Sequence, residues 1–238
     1  MKIKRTCTLL CVLTFMFSLA GCTSNEQKNN AKIDEMKRHV EEKYDKDFTV
    51  EYFHGAFDST YENILTLSDG EHIFNVYKYD DEEQITDDYP HNIANKKLVD
   101  YLKNNTTLTS GDIYASIMLS GDVLRDYEFV LQSDIETLAA KDEVFKILTI
   151  VRVDEDIETH KEELFNIYKN VLSLNTKYVE FSVISCDNMG AQLEKSLTNM
   201  EAYYGNDWHR YSEIDAYATI TDKNISSADE MMSSIEKQ

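Results

Sequence analysis

The six histidines are the first residues to consider for acid–base or metal chemistry, because histidine changes charge near neutral pH and binds metals readily. No two of them lie three or four residues apart, and the chain has no HExxH motif. His160 and Glu163 would share one face of a helix, where they offer two ligands toward a metal site. Such a pair on an acidic helix is more often incidental. The other histidines are expected to face solvent: His39, His54, His72, His91 and His209.

Two acidic runs are candidates for calcium, which prefers carboxylate oxygen ligands. The run at 80–83, with Asp87 and Asp88, either binds Ca²⁺ weakly or is a solvated loop, and the loop is favoured. The run at 154–158 has carboxylates at alternate positions, as an EF-hand loop has. It carries Thr159 where that loop needs glycine, and a helix is predicted to begin inside it, so we reject an EF-hand. We therefore assign no metal ligand and no cofactor.

Nucleophilic residues point to no known hydrolase. The chain has no GxSxG motif, and no SxxK motif with the partners that such hydrolases need. Cys186 ends a predicted strand immediately before a predicted helix, and a helix N-terminus can lower the pKa of a thiol. No histidine is near it in sequence, and a lone cysteine is more often a small buried apolar residue. We therefore assign no catalytic residue.

An aromatic group precedes the last predicted strand. Its members are Trp208, His209 and Arg210 with Tyr203, Tyr204 and Tyr211. Exposed, such a group would suit stacking against a glycan or another ligand, whereas buried it would belong to the core. The core interpretation is favoured.

The composition excludes several functional classes. The 238 residues include 44 Asp and Glu against 24 Lys and Arg, a formal charge of −20. This excludes a nucleic-acid binder that works by neutralising phosphates, since such a surface must be basic. Seven glycines and one proline exclude collagen-like and Pro/Gly-rich disordered chains, and 42% hydrophobic residues are enough for a packed core.

The first 21 residues have the features of an export signal. Lys2, Lys4 and Arg5 form a positive start, and residues 9–19 follow without a charge. This apolar run is well short of the ~20 residues that span a bilayer as a helix. Its length and flanks are typical of a secretory signal peptide, which we predict over 1–21.

The tetrapeptide Leu19-Ala20-Gly21-Cys22 resembles the lipobox of bacterial lipoproteins at all four positions. The resemblance implies that the Cys22 thiol receives a diacylglyceryl group and that signal peptidase II, recognising Leu19, Ala20 and Gly21, cleaves before Cys22. Two or more acyl chains hold a protein stably on a membrane. We therefore expect a lipid-anchored protein on the extracytoplasmic face of the cell membrane.

Processing before Cys22 would change the rest of the composition. The remaining chain would carry 21 basic and 44 acidic residues, a formal charge of −23, which anionic lipids repel. We therefore expect contact with the membrane through the Cys22 lipid only. Cys186 would be the one other cysteine, so no intramolecular disulfide is expected. Residues 22–30 are polar and predict a tether.

Hydrophobic spacing predicts an N-terminal α+β subdomain over 31–105. An apolar stripe predicts a helix at 31–46. Apolar alternation predicts the three strands of a meander, at 48–52, 62–67 and 72–79. Asp69-Gly70 is a strong hairpin signal between the last two. The acidic run 80–88 is expected to be a loop, with a second helix beginning near Tyr89.

A polar, turn-rich stretch at 104–111 is expected to separate this part from a second α+β subdomain over 111–222. Strands and helices alternate there, and Ser133 with Glu136 could form a capping box in a helical region that ends near residue 140. The strand at 145–153 is apolar on both faces, which predicts a central position in its sheet.

The fold class predicted from these elements is α+β, a helix-flanked three-stranded meander followed by a mixed or antiparallel sheet with helices. No glycine-rich phosphate loop follows any strand, which disfavours a doubly wound nucleotide-binding fold. The tail 223–238 is polar and expected to fray.

A further resemblance covers about residues 31–105. It consists of the motifs Glu42-Lys43-Tyr44-Asp45-Lys46-Asp47-Phe48-Thr49-Val50, Phe74-Asn75-Val76 and Asp87-Asp88-Tyr89. Their order is similar to that of a domain in uncharacterised lipoproteins of low-GC Gram-positive bacteria. The resemblance implies a compact α+β module and adds no activity.

These observations favour a lipid-anchored binding, accessory or protective module at the cell surface, with an envelope protein as a possible partner and no nucleic acid. The alternative is an envelope hydrolase or metal-assisted enzyme that uses acidic residues, which would need a cleft with convergent Asp, Glu or His side chains. A solute-binding protein of a transporter is a third class, and the chain is small for its two lobes.

Overall fold

The structure is a computed structural model that divides into two compact units, unit 1 at 1–89 and unit 2 at 90–238. The residues that it describes are 24–55, 62–79, 84–141, 146–175, 177–198, 213–221, 224–233 and 236–237. Among these residues, no helix combines the length and the apolar character needed to cross a membrane.

Unit 1 is a long helix on one face of an antiparallel meander. The helix is α1 (Ser24–Tyr44), and the strands are β1 (Thr49–His54), β2 (Glu62–Ser68), β3 (Ile73–Tyr79) and β4 (Ile85–Asp87), in the order β1-β2-β3-β4. The described meander therefore has four strands where the sequence predicted three. β4 lies within the run 80–88 that was expected to be a loop, and it forms because Ile85 and Asp87 pair with Lys78 and Val76.

The C-terminal half of α1 provides the helical side of the core. Met36, Val40 and Tyr44 are buried, as are Leu65, Leu67, Phe74 and Val76 on the sheet. The helix ends at Tyr44 because Asp45 adopts a left-handed φ of 49°, and the Lys46 amide donates to the Glu41 carbonyl at 3.3 Å.

The N-terminal half of α1 begins seven residues earlier than predicted. The segment 22–30, expected to be a tether, is helical from Ser24, and residues 27–31 are exposed. Its glutamine, lysine and glutamate residues have good helix propensity, and neither glycine nor proline interrupts it. The apolar stripe marks only the helical residues that pack against the sheet. It therefore does not show that the helix continues beyond its packed half.

The predicted turn at Asp69-Gly70 is confirmed. Ser68 pairs with Ile73, and the Asp69 amide donates to the His72 carbonyl at 3.2 Å. Gly70 has a φ of 89°, which favours glycine because a Cβ is strained in that region.

Unit 2 contains a mixed sheet of five strands in the order β5-β6-β7-β8-β9. The strands are β5 (Asp112–Met118), β6 (Lys146–Val153), β7 (Tyr178–Ser185), β8 (Ala216–Ile220) and β9 (Glu236–Lys237). The β6–β7 pair is parallel, and the other three pairs are antiparallel. The two sheets with their helices confirm the predicted α+β class.

The described helices of unit 2 follow and connect these strands. They are α2 (Tyr89–Asn105, its first residue in unit 1), α3 (Gly121–Arg125), α4 (Tyr127–Gln132), α5 (Ile135–Ala139), α6 (Lys161–Ser173), α7 (Ala191–Thr198) and α8 (Ala228–Met232). A 3₁₀ turn, Ile157–His160, precedes α6. The helical region before β6 is three short helices, and the predicted capping box of Ser133 with Glu136 is wrong by one residue, because Asp134 accepts the cap bond from the Thr137 amide at 2.7 Å.

Strand β6 is central and buried on both faces, as predicted. On one face, Val151 and Phe181 lie with Tyr168 of α6, whose ring contacts Phe181 at a centroid distance of 5.5 Å. On the other face, Leu148 and Ile150 form a core cluster with side chains that include Leu193 of α7. A strand apolar on both faces is what this two-sided cover requires.

The division between the units differs from the expected boundary at 104–111. It falls after Tyr89, so that nearly all of α2 belongs to unit 2. The reason is tertiary: Asn95 accepts a hydrogen bond from the Ile117 amide of β5 at 2.8 Å, and Lys97 donates to the carbonyls of Val130, Leu131 and Ser133.

The segment 223–238, expected to be a frayed tail, contains α8 and β9. Met231 of α8 is buried, and Lys161 of α6 binds Asp229 at 2.6 Å. A short helix of mixed composition has little periodic signal, and its packing against α6 decides its structure.

Candidate functional site

The most densely hydrogen-bonded carboxylate among the described residues of unit 1 is Asp69, in the β2–β3 turn. Its side chain is 1% exposed. Tyr89 donates its phenolic hydrogen to Asp69 Oδ2 at 2.7 Å, Lys46 donates to the same oxygen at 2.5 Å, and the His72 amide donates to Oδ1 at 2.7 Å. The His72 ring nitrogen Nδ1 lies 3.2 Å from Oδ2. We call these four residues the Asp69 cluster.

The Asp69 cluster keeps its carboxylate ionised. Burial alone would raise the pKa of Asp69, but the hydrogen bonds from Lys46, Tyr89 and the turn amides hold it well below its usual range. A buried anion with this many donors is a structural anchor, because it ties the end of α1, the turn and the first residue of α2 to one point.

The resemblance motifs meet around this cluster. Asp87 accepts from the Tyr44 hydroxyl at 2.6 Å and from Lys43 at 2.7 Å, and the rings of Tyr44 and Tyr89 lie 4.9 Å apart. Phe48 and Phe74 complete the aromatic core beside Tyr89. The motif spacing therefore reflects packing within unit 1.

Unit 2 has a second charged network at the carboxyl end of β6. Arg152 is buried and binds Asp112 at 2.9 Å, together with Asp154 and the Cys186 carbonyl. Burial would lower the pKa of Arg152, but the hydrogen bonds that it donates to both carboxylates, and their negative charges, raise it above its usual value. Ser110 donates to Asp154 at 2.6 Å and contributes to the lowered pKa of that carboxyl group.

The predicted pair His160 and Glu163 does come together. His160 is buried, and its Nδ1 lies 3.1 Å from Glu163 Oε2, which also accepts from the Thr109 amide at 3.0 Å. His160 Nε2 is buried without a hydrogen-bond partner in the described structure. His160 and Glu163 therefore contact each other, and Glu163 also accepts from Thr109. No group of three His, Cys, Asp or Glu residues able to hold a metal occurs in the described ranges.

The Cys186 side chain is buried, and this burial raises the pKa of its thiol. The hypothesis of a thiol activated by a helix N-terminus is therefore not supported by its surroundings. The interpretation of Cys186 as a small buried apolar residue is the one that fits.

Several other predicted positions have mixed outcomes. His39 and His54 are exposed as predicted, whereas His72 and His91 are partly buried, His72 because its ring contacts Asp69. In the acidic run, Asp88 accepts from the Asn75 amide at 2.6 Å, and it and Asp87 are therefore engaged within unit 1.

Some predicted sites lie outside the described residues. They are the lipobox residues Leu19, Ala20, Gly21 and Cys22, the acids at 80–83, and the aromatic group at 203–211 with His209. The lipid anchor stays a prediction from the sequence.

A shallow polar groove of about 580 Å³ lies between the end of α2 and α6 in unit 2. Its lining residues are Asn104, Asn105, Thr106, Thr107, Glu163, Asn166, Lys169 and Asn170. Asn170 donates to the Asn105 carbonyl at 3.1 Å and Thr106 donates to the Leu102 carbonyl at 2.6 Å, so these groups cap α2. Glu163 is the one carboxylate among the residues that line the groove. An envelope hydrolase or metal-assisted enzyme would need several acidic side chains that converge on one site.

The face of the unit 1 sheet opposite α1 is rich in aromatic residues, and we call it the open face. The strand register places on it Tyr52, His54, Ile64, Thr66, Ile73, Asn75, Tyr77, Tyr79 and Thr86. Tyr52 is 61% exposed, Ile73 is 63% exposed and Tyr79 is 42% exposed. Exposed apolar side chains grouped on one face are typical of interaction surfaces. The alternation along the predicted strand 72–79 is consistent with a shared face for Ile73 and Tyr79, but it did not indicate that their side chains are exposed.

Comparison with known proteins found no matching protein family, no similar curated protein and no similar solved structure.

Proposed function

We propose that the protein is a lipid-anchored binding module on the extracytoplasmic face of the cell membrane. The anchor is supported by the positive start of the chain, the short apolar run and the lipobox resemblance of Leu19-Ala20-Gly21-Cys22. A diacylglyceryl cysteine would supply two acyl chains, enough for stable attachment.

The observation that carries the binding role is the exposure of Tyr52, Ile73 and Tyr79 on the open face. A monomeric protein gains nothing in stability from large apolar side chains left in water, and such groups on one face commonly mark a site of association. Tyrosine is among the residues enriched at protein interfaces because its ring is apolar and its hydroxyl can bond to a partner.

The anchor is tested with Cys22→Ser in the native cell. We expect loss of fatty-acid labelling and release of the protein from the membrane fraction, because the variant has no thiol to receive the lipid. Cys186→Ser is the matched control, and it should label and fractionate as the unaltered protein does. Unchanged membrane retention of Cys22→Ser would contradict the anchor.

The binding role is tested by photocrosslinking in intact envelopes. A benzoylphenylalanine at position 52 should give a discrete crosslinked product, whereas the same group at position 178 should not. Tyr178 is the matched control because it is 49% exposed and belongs to unit 2 and not to the open face. Equal products from both positions, or none from position 52, would contradict a binding role for this face.

A further inference from the structure

Unit 1, which carries the open face, has more acidic than basic residues. The side chains named on the open face include no lysine, arginine, aspartate or glutamate, and Asp88 at its β4 edge accepts from the Tyr77 hydroxyl at 3.1 Å. Residues 24–89 contain 18 acidic and 7 basic residues. Such a field attracts cations and repels anions, so it steers a basic partner toward this unit and discourages an acidic one.

The rings of the open face suit the same partner. An arginine guanidinium or lysine ammonium is attracted to the face of a tyrosine ring, and arginine is the more frequent partner. Ile73 offers an aliphatic contact for the stems of such side chains, which bury their methylene groups against apolar surface. Tyr52 and Tyr79 lie on β1 and β3, with β2 between them, so that they provide two separate rings on one surface.

The size of the face limits the kind of occupant. Four strands at ~4.8 Å spacing and the seven residues of β3 give a surface of roughly 14 Å by 20 Å, or about 300 Å². A stable dimer buries about 800 Å² on each partner, so the face is too small for a second copy or a globular domain to hold by itself. It is also a sheet face and not a cavity, whereas small ligands need a concave site.

We infer that the open face binds a basic peptide segment of a partner protein, one in which arginine or lysine side chains alternate with apolar ones. This inference rests on the proposed binding role of the same face and adds the chemistry of the partner. Tyr52 and Tyr79 contact the cationic side chains, and Ile73 contacts the apolar ones.

The test measures binding of a defined probe, a fluorescent 12-residue peptide of alternating arginine and leucine. The protein is used as the cell processes it, purified in a non-ionic detergent. Three forms are compared: the unaltered protein, the double variant Tyr52→Ala with Tyr79→Ala, and the matched control Tyr178→Ala. All three have the same net charge, so a difference between them cannot come from nonspecific attraction to an acidic protein.

We expect the double variant to raise the dissociation constant of the peptide at least tenfold, and Tyr178→Ala to change it less than twofold. A peptide with glutamate in place of every arginine should bind at least tenfold more weakly than the arginine peptide. Circular dichroism reports whether the double variant folds. Ile73→Ser is the second variant, and it should raise the dissociation constant at least threefold.

Equal affinity of the arginine peptide for all three forms would overturn the inference, as would equal affinity for the glutamate peptide. Two other occupants have their own signatures. Binding of chitohexaose that the double variant loses, without peptide binding, would assign the face to a glycan. A dimer in sedimentation that the double variant abolishes would assign it to a second copy. If the peptide does not bind but position 52 gives a discrete crosslinked product, the basic peptide is rejected and the binding role is kept. If the peptide does not bind and position 52 gives no crosslinked product, the binding role is rejected as well.

Discussion

The phenolic hydroxyl of Tyr89 donates a 2.7 Å hydrogen bond to the buried carboxylate of Asp69, twenty residues away in the chain. The Tyr89 ring lies 5.2 Å from the ring of Phe48 and 4.6 Å from that of Phe74, measured between centroids. One residue thus joins the aromatic core of unit 1 to its most strongly hydrogen-bonded anion, and several expectations about stability depend on it.

Tyr89→Phe should destabilise unit 1 while keeping its packing. The substitution removes one donor from a buried charged acceptor, and a hydrogen bond to a charged group contributes about 1.5–3 kcal/mol. Urea unfolding should show a loss of about 2 kcal/mol. Tyr178→Phe, which alters an exposed tyrosine of unit 2, is the control and should leave stability unchanged. An unchanged unfolding midpoint for Tyr89→Phe would show that the bond contributes nothing.

Acid should weaken unit 1 through Asp69. Its pKa is lower in the folded protein than the value of about 3.9 expected in the unfolded chain, so the unfolded chain takes up the proton first as pH falls. The stabilisation by this group is therefore complete above about pH 5 and declines as the pH falls through 4 and below. Denaturant unfolding between pH 3 and pH 7 should show this decline, and Asp69→Asn should be less stable at pH 7 and less dependent on pH. An Asp69→Asn variant with the same pH profile as the unaltered protein would contradict this role.

Gly111→Ala should disrupt unit 2. Gly111 has a φ of 127°, and a Cβ there would overlap the carbonyl oxygen of Arg152. Backbone strain and overlap together should cost about 2–4 kcal/mol. Gly121→Ala is the matched control, because a Cβ at Gly121 meets no atom within 4 Å, and its effect should stay within about 0.5 kcal/mol. Comparable melting temperatures for the two variants would be evidence against this strain.

The Cys186 thiol should be inert in the native protein. It is buried and burial raises its pKa, so little thiolate is present near neutral pH and reagents have no access to it. Iodoacetamide followed by mass spectrometry should modify Cys186 only after denaturant unfolds the chain. Rapid modification of the native protein at pH 7 would mean that the thiol is reachable, against its buried position beside Leu193 and Ile214.

The elements predicted well were those whose signal is local. Ile147, Val151 and Val153 on one face of β6, with Leu148 and Ile150 on the other, indicated a central strand, and the structure buries both faces. β4 was missed because three residues hold too little pattern to show a strand, and its existence depends on pairing with β3.

The candidate sites were harder to predict because their partners are distant in the sequence. The turn signal at Asp69-Gly70 was strong, but nothing local shows that Asp69 binds Lys46 and Tyr89, 23 and 20 residues away. In the same way, α2 was placed in the first subdomain because its stripe shows only that one face is buried. Contacts such as Asn95 with the Ile117 amide decide which unit that face joins.

Helix α1 has a mechanical consequence for an anchored protein. It begins at Ser24, two residues after Cys22, and its first fully buried apolar side chain is Met36. Residues 27–31 are exposed, whereas Lys32 already donates to Asn63 of β2 at 3.2 Å. At 1.5 Å per residue, the helix rises about 12 Å between Ser24 and Lys32. With a lipid on Cys22, this exposed helical stretch would act as a rigid spacer between the bilayer and unit 1. It would set the height of unit 1 above the bilayer and limit the directions in which Tyr52 and Tyr79 can point. A flexible linker would let the protein reach partners over a range of distances from the membrane, whereas a rigid helical spacer presents it to partners at a fixed distance.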